Sequence, residues 1–299
     1  MGVIATSDYE LVTEGVGLVD RSDRAKFLVR GGEAADFLQG QVSNDVEALH
    51  PGSGCYATVL SHKGKLRTDL RILRGDDWFW LDTEAIGHAV LEHMLRTKSL
   101  GRDVQYEDAT ESRALVSLVG RAARDRLDVP PPAEEHSFVQ GEHGVYASTL
   151  LGVDVIGEPG TDLGVEPVSD EAAECVRIEA GRPRLGYDMD AETMPQEAGI
   201  NDRAVSFTKG CYVGQETVAR LHYKGKPNRH LRGLRLSEPA ERGAEIHLGG
   251  KVVGRIGSTC VSPRLGPIAL ALLRREAEPG ATVTVGDAAA EVVALPFPA

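Results

Sequence analysis

The sequence predicts an α+β fold that ends in a small β-barrel. Past residue 230 the chain breaks into six short strand-like runs, at 231–236, 244–248, 251–258, 268–273, 282–285 and 291–295. Strands of that length and spacing suit a small closed barrel. Residues 84–96 repeat apolar side chains at helical spacing, with Ile86, Val90 and Met94 four apart and Leu91 and Leu95 widening the stripe. Between Tyr56 and Leu81, short apolar runs alternate with turn residues, as in an antiparallel meander.

The elements follow in order. Residues 26–29 read as a strand and 33–39 as a short helix. The meander comprises 56–60, the turn His62-Lys63-Gly64-Lys65, 66–73, the turn Gly75-Asp76-Asp77, and 78–81. Residues 113–119 read as a strand and 121–127 as a helix, closed by the stiff loop Pro130-Pro131-Pro132. Residues 146–156 read as one strand, broken by Glu158-Pro159-Gly160. A second helix starts at Asp170 as N-cap, with Glu171 suiting the helix dipole, and stops at Gly181 and Pro183. A short helix starts near Gly214, with Val218 and Leu221 on one face. Gly249-Gly250 reads as a tight hairpin turn, and a domain boundary falls near Pro227.

The chain has 299 residues, 41% of them hydrophobic and 26% charged, with a formal charge of −12. That balance suits a globular chain and argues against general nucleic-acid binding, which needs a basic face. No apolar run reaches the roughly 18 residues of a membrane helix, and the N-terminus lacks a signal-peptide pattern. Gly2 and Thr6 fit the loose myristoylation pattern, which matches often by chance. The four cysteines, Cys55, Cys175, Cys211 and Cys260, form no CxxC pair. Neither a disulfide framework nor a metal site is expected, and a reducing, cytoplasmic setting is.

Several residues are candidates for chemistry. Glu179 falls on the apolar stripe of Ala172, Cys175 and Val176. A carboxylate there needs a partner, so it is either a ligand group or half of an ion pair with Arg177 or Arg182. Strand alternation puts Asp69 with Arg67 and Arg71 on a face that reads as solvated. Tyr56, on the preceding strand, is equally ambiguous. Asp154 interrupts the apolar run 150–156 and faces opposite to Val153 and Val155. Cys211 stands just before a helix start with Lys209 beside it, an arrangement that favours a thiolate. It is either a reactive or soft-ligand thiol or a small buried hydrophobe. The segment Arg220 to Arg229 holds basic residues and no acid, and can meet an anionic ligand tail or serve as a solvated linker.

The motif Lys209-Gly210-Cys211-Tyr212-Val213-Gly214-Gln215-Glu216 resembles the signature of the YgfZ-type folate-binding proteins, relatives of the glycine-cleavage T-protein. Phe37-Leu38-Gln39-Gly40-Gln41-Val42-Ser43-Asn44-Asp45 and Arg177-Ile178-Glu179-Ala180-Gly181 resemble two further stretches of that family. The resemblance runs from about Gly17 to about Leu273. It implies a three-subdomain cloverleaf around a folate-binding hole, with the last subdomain a β-barrel. Residues 1–229 would form the folate-binding domain, as interleaved subdomains 1–110 with 171–229, and 111–170. Residues 230–299 would form the barrel.

The same resemblance places Asp69 at the family's functional aspartate and Tyr56 at the tyrosine of the strand before it. It places Asp154 where the pterin-facing acid stands in T-proteins. It implies tetrahydrofolate or a derivative as cofactor, held by Asp69, Tyr56, Asp154 and Glu179, with Asp69 and Cys211 as the reactive groups. Iron–sulfur proteins or their assembly factors are the implied partners, and a monomer is expected. Two T-protein features are missing. The position of an arginine six residues before a conserved glutamate reads Ala173, and a glycine-rich segment is shortened around Gly152. The expected function is therefore a folate-binding factor that supports iron–sulfur proteins, with its chemical step, and so its standing as an enzyme, left open. The alternatives are an aminomethyltransferase and a non-catalytic folate-binding module.

Overall fold

The computed structural model describes residues 4–298, so Gly2 lies outside the described residues. Helix α1 (Thr6–Glu14) and strand β1 (Gly17–Asp20) precede β2 (Ala25–Arg30) and α2 (Ala34–Gln41). The meander is β3 (Ser53–Leu60), β4 (Leu66–Arg74) and β5 (Trp78–Thr83), followed by α3 (His88–Lys98) and β6 (Gln105–Asp108). Strands β7 (Ala114–Val119), β8 (Phe138–Gly141), β9 (Gly144–Thr149) and β10 (Gly152–Gly157) come next. Helices α4 (Asp170–Glu179), α5 (Asn201–Ala204) and α6 (Gln215–Lys224) lead to the last six strands. These are β11 (Arg229–Leu236), β12 (Glu245–Leu248), β13 (Lys251–Ser262), β14 (Gly266–Arg274), β15 (Thr282–Val285) and β16 (Ala288–Val293).

The strands make three bodies. One sheet runs β3-β4-β5-β2-β6, a second runs β1-β7-β10-β9-β8, and β11-β14-β13-β12-β15-β16 close into a barrel. The fold is thus mixed α and β with a closed six-stranded C-terminal barrel. Its interior is filled by Leu234, Ile246, Val253, Ile256, Ala269, Ala271, Val283 and Val292. At the tip of β12–β13, Gly249 and Gly250 both take positive φ (56° and 80°), which a two-residue turn of this kind requires.

In the first sheet, Leu70 and Ile72 of β4 face the core formed with Phe37, Leu38, Leu91 and Leu95 of α2 and α3. Side chains alternate along a strand, so Asp69 and Arg71 face the other way. That face is buried too: Asp69 is 9% and Arg71 6% exposed. Of the face that alternation expects to be solvated, Arg67 alone is exposed, because the second sheet and the 182–185 segment cover Asp69 and Arg71.

Other differences are local. Residues 121–127 form turns and a short 3-10 segment rather than a helix, and 146–156 is the hairpin β9–β10, with Leu150 and Leu151 at its turn. Helix α3 begins at His88, and Ile86 is 68% exposed rather than part of the buried stripe. The N-cap of α4 is Ser169, one residue before Asp170. Helix α4 ends as expected at Gly181, whose φ is 67°.

Helix α4 is the element on which the bodies meet. Ala172, Ala173 and Val176 pack against Val12 of α1 and Val119 of β7. Cys175 and Ile178 pack against Cys260, Ile268 and Leu270 of the barrel. The polar tie is Asp188. Its Oδ1 accepts from the Ser258 N–H (2.7 Å), and its Oδ2 accepts from Ser258 Oγ (2.8 Å), the Arg184 N–H (2.9 Å) and Arg177 Nη1 (3.2 Å). Replacing Asp188 by Ala leaves the Ser258 and Arg184 N–H groups without their acceptor and takes one of two carboxylates from Arg177, which keeps Glu174. We expect Asp188→Ala to cost about 3–5 kcal/mol in denaturant unfolding. A loss under about 1 kcal/mol would show that the barrel is held by apolar packing alone.

Candidate functional site

A cavity of 220 Å³ lies between the two sheets and the segment after α4. Its wall takes Tyr56 from β3, Asp69 and Arg71 from β4, Asp82 from β5, Ser117 from β7, Asp154 from β10 and Arg203 from α5. Arg21, Arg24, Glu84, Glu135, His136, Thr149, Arg177, Arg182 and Arg184 add to its polar lining. It adjoins a cavity of 750 Å³, the two sharing Glu135, Thr149, Leu150 and Leu151. Together they reach the roughly 300–1,000 Å³ of small-molecule sites.

Asp69 and Tyr56 meet: the Tyr56 hydroxyl donates to Asp69 Oδ2 at 2.6 Å. Thr83 Oγ1 donates a long bond, 3.4 Å, to Oδ1. Burial pushes the Asp69 carboxyl above its ordinary value, and the Tyr56 bond only partly offsets this. Burial, with Asp69 adding to it, pushes the Tyr56 hydroxyl well up. The Arg203 guanidinium sits 4.9 Å over the Tyr56 ring.

The other acids of the wall are tied down. Asp82 accepts from Arg71 Nε (2.8 Å), Arg24 Nη2 (2.8 Å) and Trp80 Nε1 (3.1 Å). Burial alone would raise the Asp82 carboxyl, but Arg71 and Arg24 outweigh it and hold it below its ordinary value. Glu84 pairs with Arg24 and Arg184. Asp154 shares the cavity with Asp69, and both its oxygens have donors: Arg71 Nη1 at 2.6 Å and Ser117 Oγ at 2.6 Å. Among the described residues, Asp69 is the one acid of this wall without an ion pair.

Glu179 is elsewhere. It lines the adjoining cavity. Its Oε1 accepts from Tyr9 Oη (2.8 Å) and Ser262 Oγ (2.5 Å), and its Oε2 pairs with Arg264 (3.1 Å). It is half of an ion pair, but with a barrel arginine and not with Arg177 or Arg182. Those two pair with Glu174 and Asp188, and with Glu135.

Cys211 is exposed and lines neither cavity, so it is not a buried hydrophobe. Lys209 does not serve it. The Lys209 ammonium is buried at the C-terminal end of α2 and donates to the carbonyls of Gln39 (2.6 Å), Val42 (2.8 Å) and Asn44 (2.7 Å). Burial pushes its pKa down to about 8. Tyr212 packs into a core with Leu60, Leu66 and Val218. Gly214, with φ 86°, caps α6, and a Cβ there would meet the Ser61 carbonyl at 2.5 Å. Gln215 donates to the Gly210 carbonyl (3.3 Å), and Glu216 pairs with Arg220 on the surface. The segment read as a basic loop is the second half of α6 plus a short link, and Arg229 pairs with Glu197. None of it lines the central cavity.

Sequence reading missed Arg71, Arg203, Arg182 and His136. His136 has φ 73°, a left-handed conformation uncommon for a residue with a side chain. Its N–H donates to the Ser148 carbonyl (2.8 Å), and its Nδ1 is buried without a partner. Burial pushes the imidazole down to about 4, so it is neutral near pH 7.

Acidification should weaken the fold through His136. The folded value of about 4 lies below the ordinary 6.5, so the fold disfavours the protonated ring. The contribution is complete above pH 6.5 and is lost as pH falls from there towards 4, by roughly 3 kcal/mol. Urea midpoints of wild type and His136→Gln at a series of pH values should therefore converge on acidification. Parallel curves would mean that the imidazole titrates freely.

Residues 2–138 match the GCVT N-terminal domain, and residues 229–297 match the glycine cleavage T-protein C-terminal barrel domain. An aminomethyltransferase of Corynebacterium aurimucosum is 28% identical, over 97% of this chain and 89% of its own length. One from Thermotoga maritima is 29% identical, over 92% and 81%. A putative chloroplastic transferase of Arabidopsis thaliana is 28% identical, over 91% and 69%. The crystal structure of the glycine cleavage system aminomethyltransferase T from Bartonella henselae superposes with a TM-score of 0.87, over 98% of this chain and 89% of that one, at 22% identity. That structure bears on the fold alone, while the two matched domains and the sequence relatives place the chain in the GcvT-like family.

Proposed function

We propose that the protein binds tetrahydrofolate in the central cavity and acts as a folate-dependent member of its family. The observation that carries this reading is the state of Asp69: buried, hydrogen-bonded to Tyr56, pushed up in pKa and free of any ion pair among the described residues. A carboxyl poised in this way can hold or take a proton at Oδ1 while Tyr56 fixes its orientation. Tetrahydrofolate supplies, when bound, the nitrogens that carry a one-carbon unit. Arg71 has a buried Nη2 without a partner, a donor suited to an acceptor on the pterin ring. Asp154 keeps lone pairs for the two N–H donors of the ring edge. Leu70, Val119, Leu151 and Leu185 supply apolar wall.

Calorimetry with tetrahydrofolate tests this. Wild type should bind, and a hundredfold excess over Kd should stabilise it by about 2.7 kcal/mol. Asp69→Asn keeps the shape of the side chain but loses its titration, so affinity should fall by no more than about tenfold. Any folate-dependent turnover should fall by about 10²–10⁴. No heat and no thermal shift with wild type would defeat the reading.

The comparisons favour aminomethyl transfer as the reaction, since two of the three named sequence relatives are aminomethyltransferases. Ammonia release from a lipoylated carrier is its direct assay. A second reading, support of iron–sulfur proteins, is favoured by the exposed Cys211 within its motif. Cys211→Ala should melt within about 1 kcal/mol of wild type, as exposed positions do, and should bind folate unchanged. Loss of iron–sulfur enzyme activity in cells carrying only that variant would support the second reading. Full complementation would remove it.

A further inference from the structure

The central cavity is locally cationic in a chain of formal charge −12. Its wall holds seven arginines, Arg21, Arg24, Arg71, Arg177, Arg182, Arg184 and Arg203, against five acids, Asp69, Asp82, Glu84, Glu135 and Asp154. Most of these cations are spent on neighbouring carboxylates. Two are not. Arg203 forms no ion pair among the described residues; burial lowers its pKa, and the nearby charge of Arg182 lowers it further. Arg182 gives one nitrogen to Glu135 (3.0 Å), while its Nη1 is buried with no partner. Beside them His136 Nδ1 is also buried and unpartnered. Glu135, on the residue before, is the one acid at this end of the wall, and it lines both cavities.

Two guanidinium groups that repel each other, each short of an acceptor, are expensive to leave so in a partly desolvated wall. A planar carboxylate placed between them satisfies both, because a guanidinium matches a carboxylate in two-point geometry. We infer that Arg182 and Arg203, with His136 beside them, form a carboxylate subsite at the neck between the two cavities. On the folate reading, which this inference rests on, the carboxylate is that of the glutamyl tail. The pterin end lies against Asp69 and Asp154, and the tail passes the neck towards the larger cavity. The basic residues of α6 and its link, which do not reach the cavity, take no part.

The test compares tetrahydrofolate with a tetrahydropterin that lacks the benzoylglutamate, by calorimetry on the full chain. Wild type should prefer tetrahydrofolate, and Arg203→Gln and Arg182→Gln should each weaken it by about tenfold or more. The tail-less pterin should be affected less than about twofold by either change. Arg203→Lys, which keeps the charge, should recover part of the loss. Melting curves within a few degrees of wild type, expected for at least one of the two glutamine variants, qualify it for the comparison. Equal weakening of both ligands would make the arginines part of the pterin site or of the scaffold and overturn the inference. So would a wild type indifferent to the tail, which leaves folate binding itself intact. Failure of both ligands to bind wild type would overturn the folate reading and the subsite together.

Discussion

One chain of charges crosses every body of the molecule. It starts at Asp154 on β10, passes to Arg71 on β4 (2.6 Å), Asp82 on β5 (2.8 Å) and Arg24 (2.8 Å), and continues through Glu84 to Arg184 (2.7 Å). From there it runs to Glu174 (3.4 Å) and Arg177 (2.8 Å) of α4, then to Asp188 (3.2 Å), which bonds Ser258 of the barrel. Buried pairs of this kind add little net stability, because desolvation opposes the attraction. What they fix is geometry. Each member between the two ends has an opposite charge on both sides, so a shift of one sheet against the other would strand a charge in a dry site. The walls of the central cavity are thereby held at set distances before any ligand arrives.

The same chain sorts the ionisable groups of the cavity into structural and available ones. Burial opposes the charge on Asp82, Glu84 and Glu174, yet their arginine neighbours prevail and hold all three carboxyls below their ordinary values. Burial likewise opposes Arg24, Arg71, Arg177 and Arg184, and their acidic neighbours prevail and raise all four. Asp69 and Arg203 go the other way, the acid raised and the base lowered, because neither has a counter-ion close enough to outweigh burial. Groups pushed apart in this manner are candidates for proton chemistry and for meeting a ligand's charge. Both touch Tyr56, one at its hydroxyl and the other over its ring.

How much of this the sequence displays depends on the range of the interaction. The barrel strands are legible because each is a short apolar run between turn residues, and Gly249-Gly250 needs only local backbone geometry. The end of α4 at Gly181 is legible for the same reason. The hairpin β9–β10 is not, since its turn carries Leu150 and Leu151 and so hides inside an apolar run. Asp69 and Arg71 look solvated because alternation assumes water along one whole face, and on β4 that holds only at Arg67. The partner of Glu179 is invisible locally: Arg177 and Arg182 are close in sequence, but Arg264 is the residue that the barrel brings to it. His136, Arg182 and Arg203 carry no motif at all. Their common trait is a place in the wall, which exists only once the sheets and the segment after α4 are packed.

The motif around Cys211 shows how a contiguous signature can hold two jobs. Its buried members build a frame. Lys209 closes the C-terminal end of α2, which otherwise leaves carbonyls unsatisfied. Tyr212 anchors in the core beside Leu60 and Leu66, and Gly214 lets the chain pass the Ser61 carbonyl where any side chain would collide. Two other members, Cys211 and Glu216, project outward from that frame. A lysine placed to stabilise a thiolate would have to point at Cys211, and this one is turned inward with all three donors used. The thiol therefore owes its position to the frame and gains no activation from Lys209. Because it also lies outside the cavity that holds Asp69, a thiol chemistry at Cys211 and a proton chemistry at Asp69 cannot act on one ligand atom. They are separable by substitution, each without loss of the other.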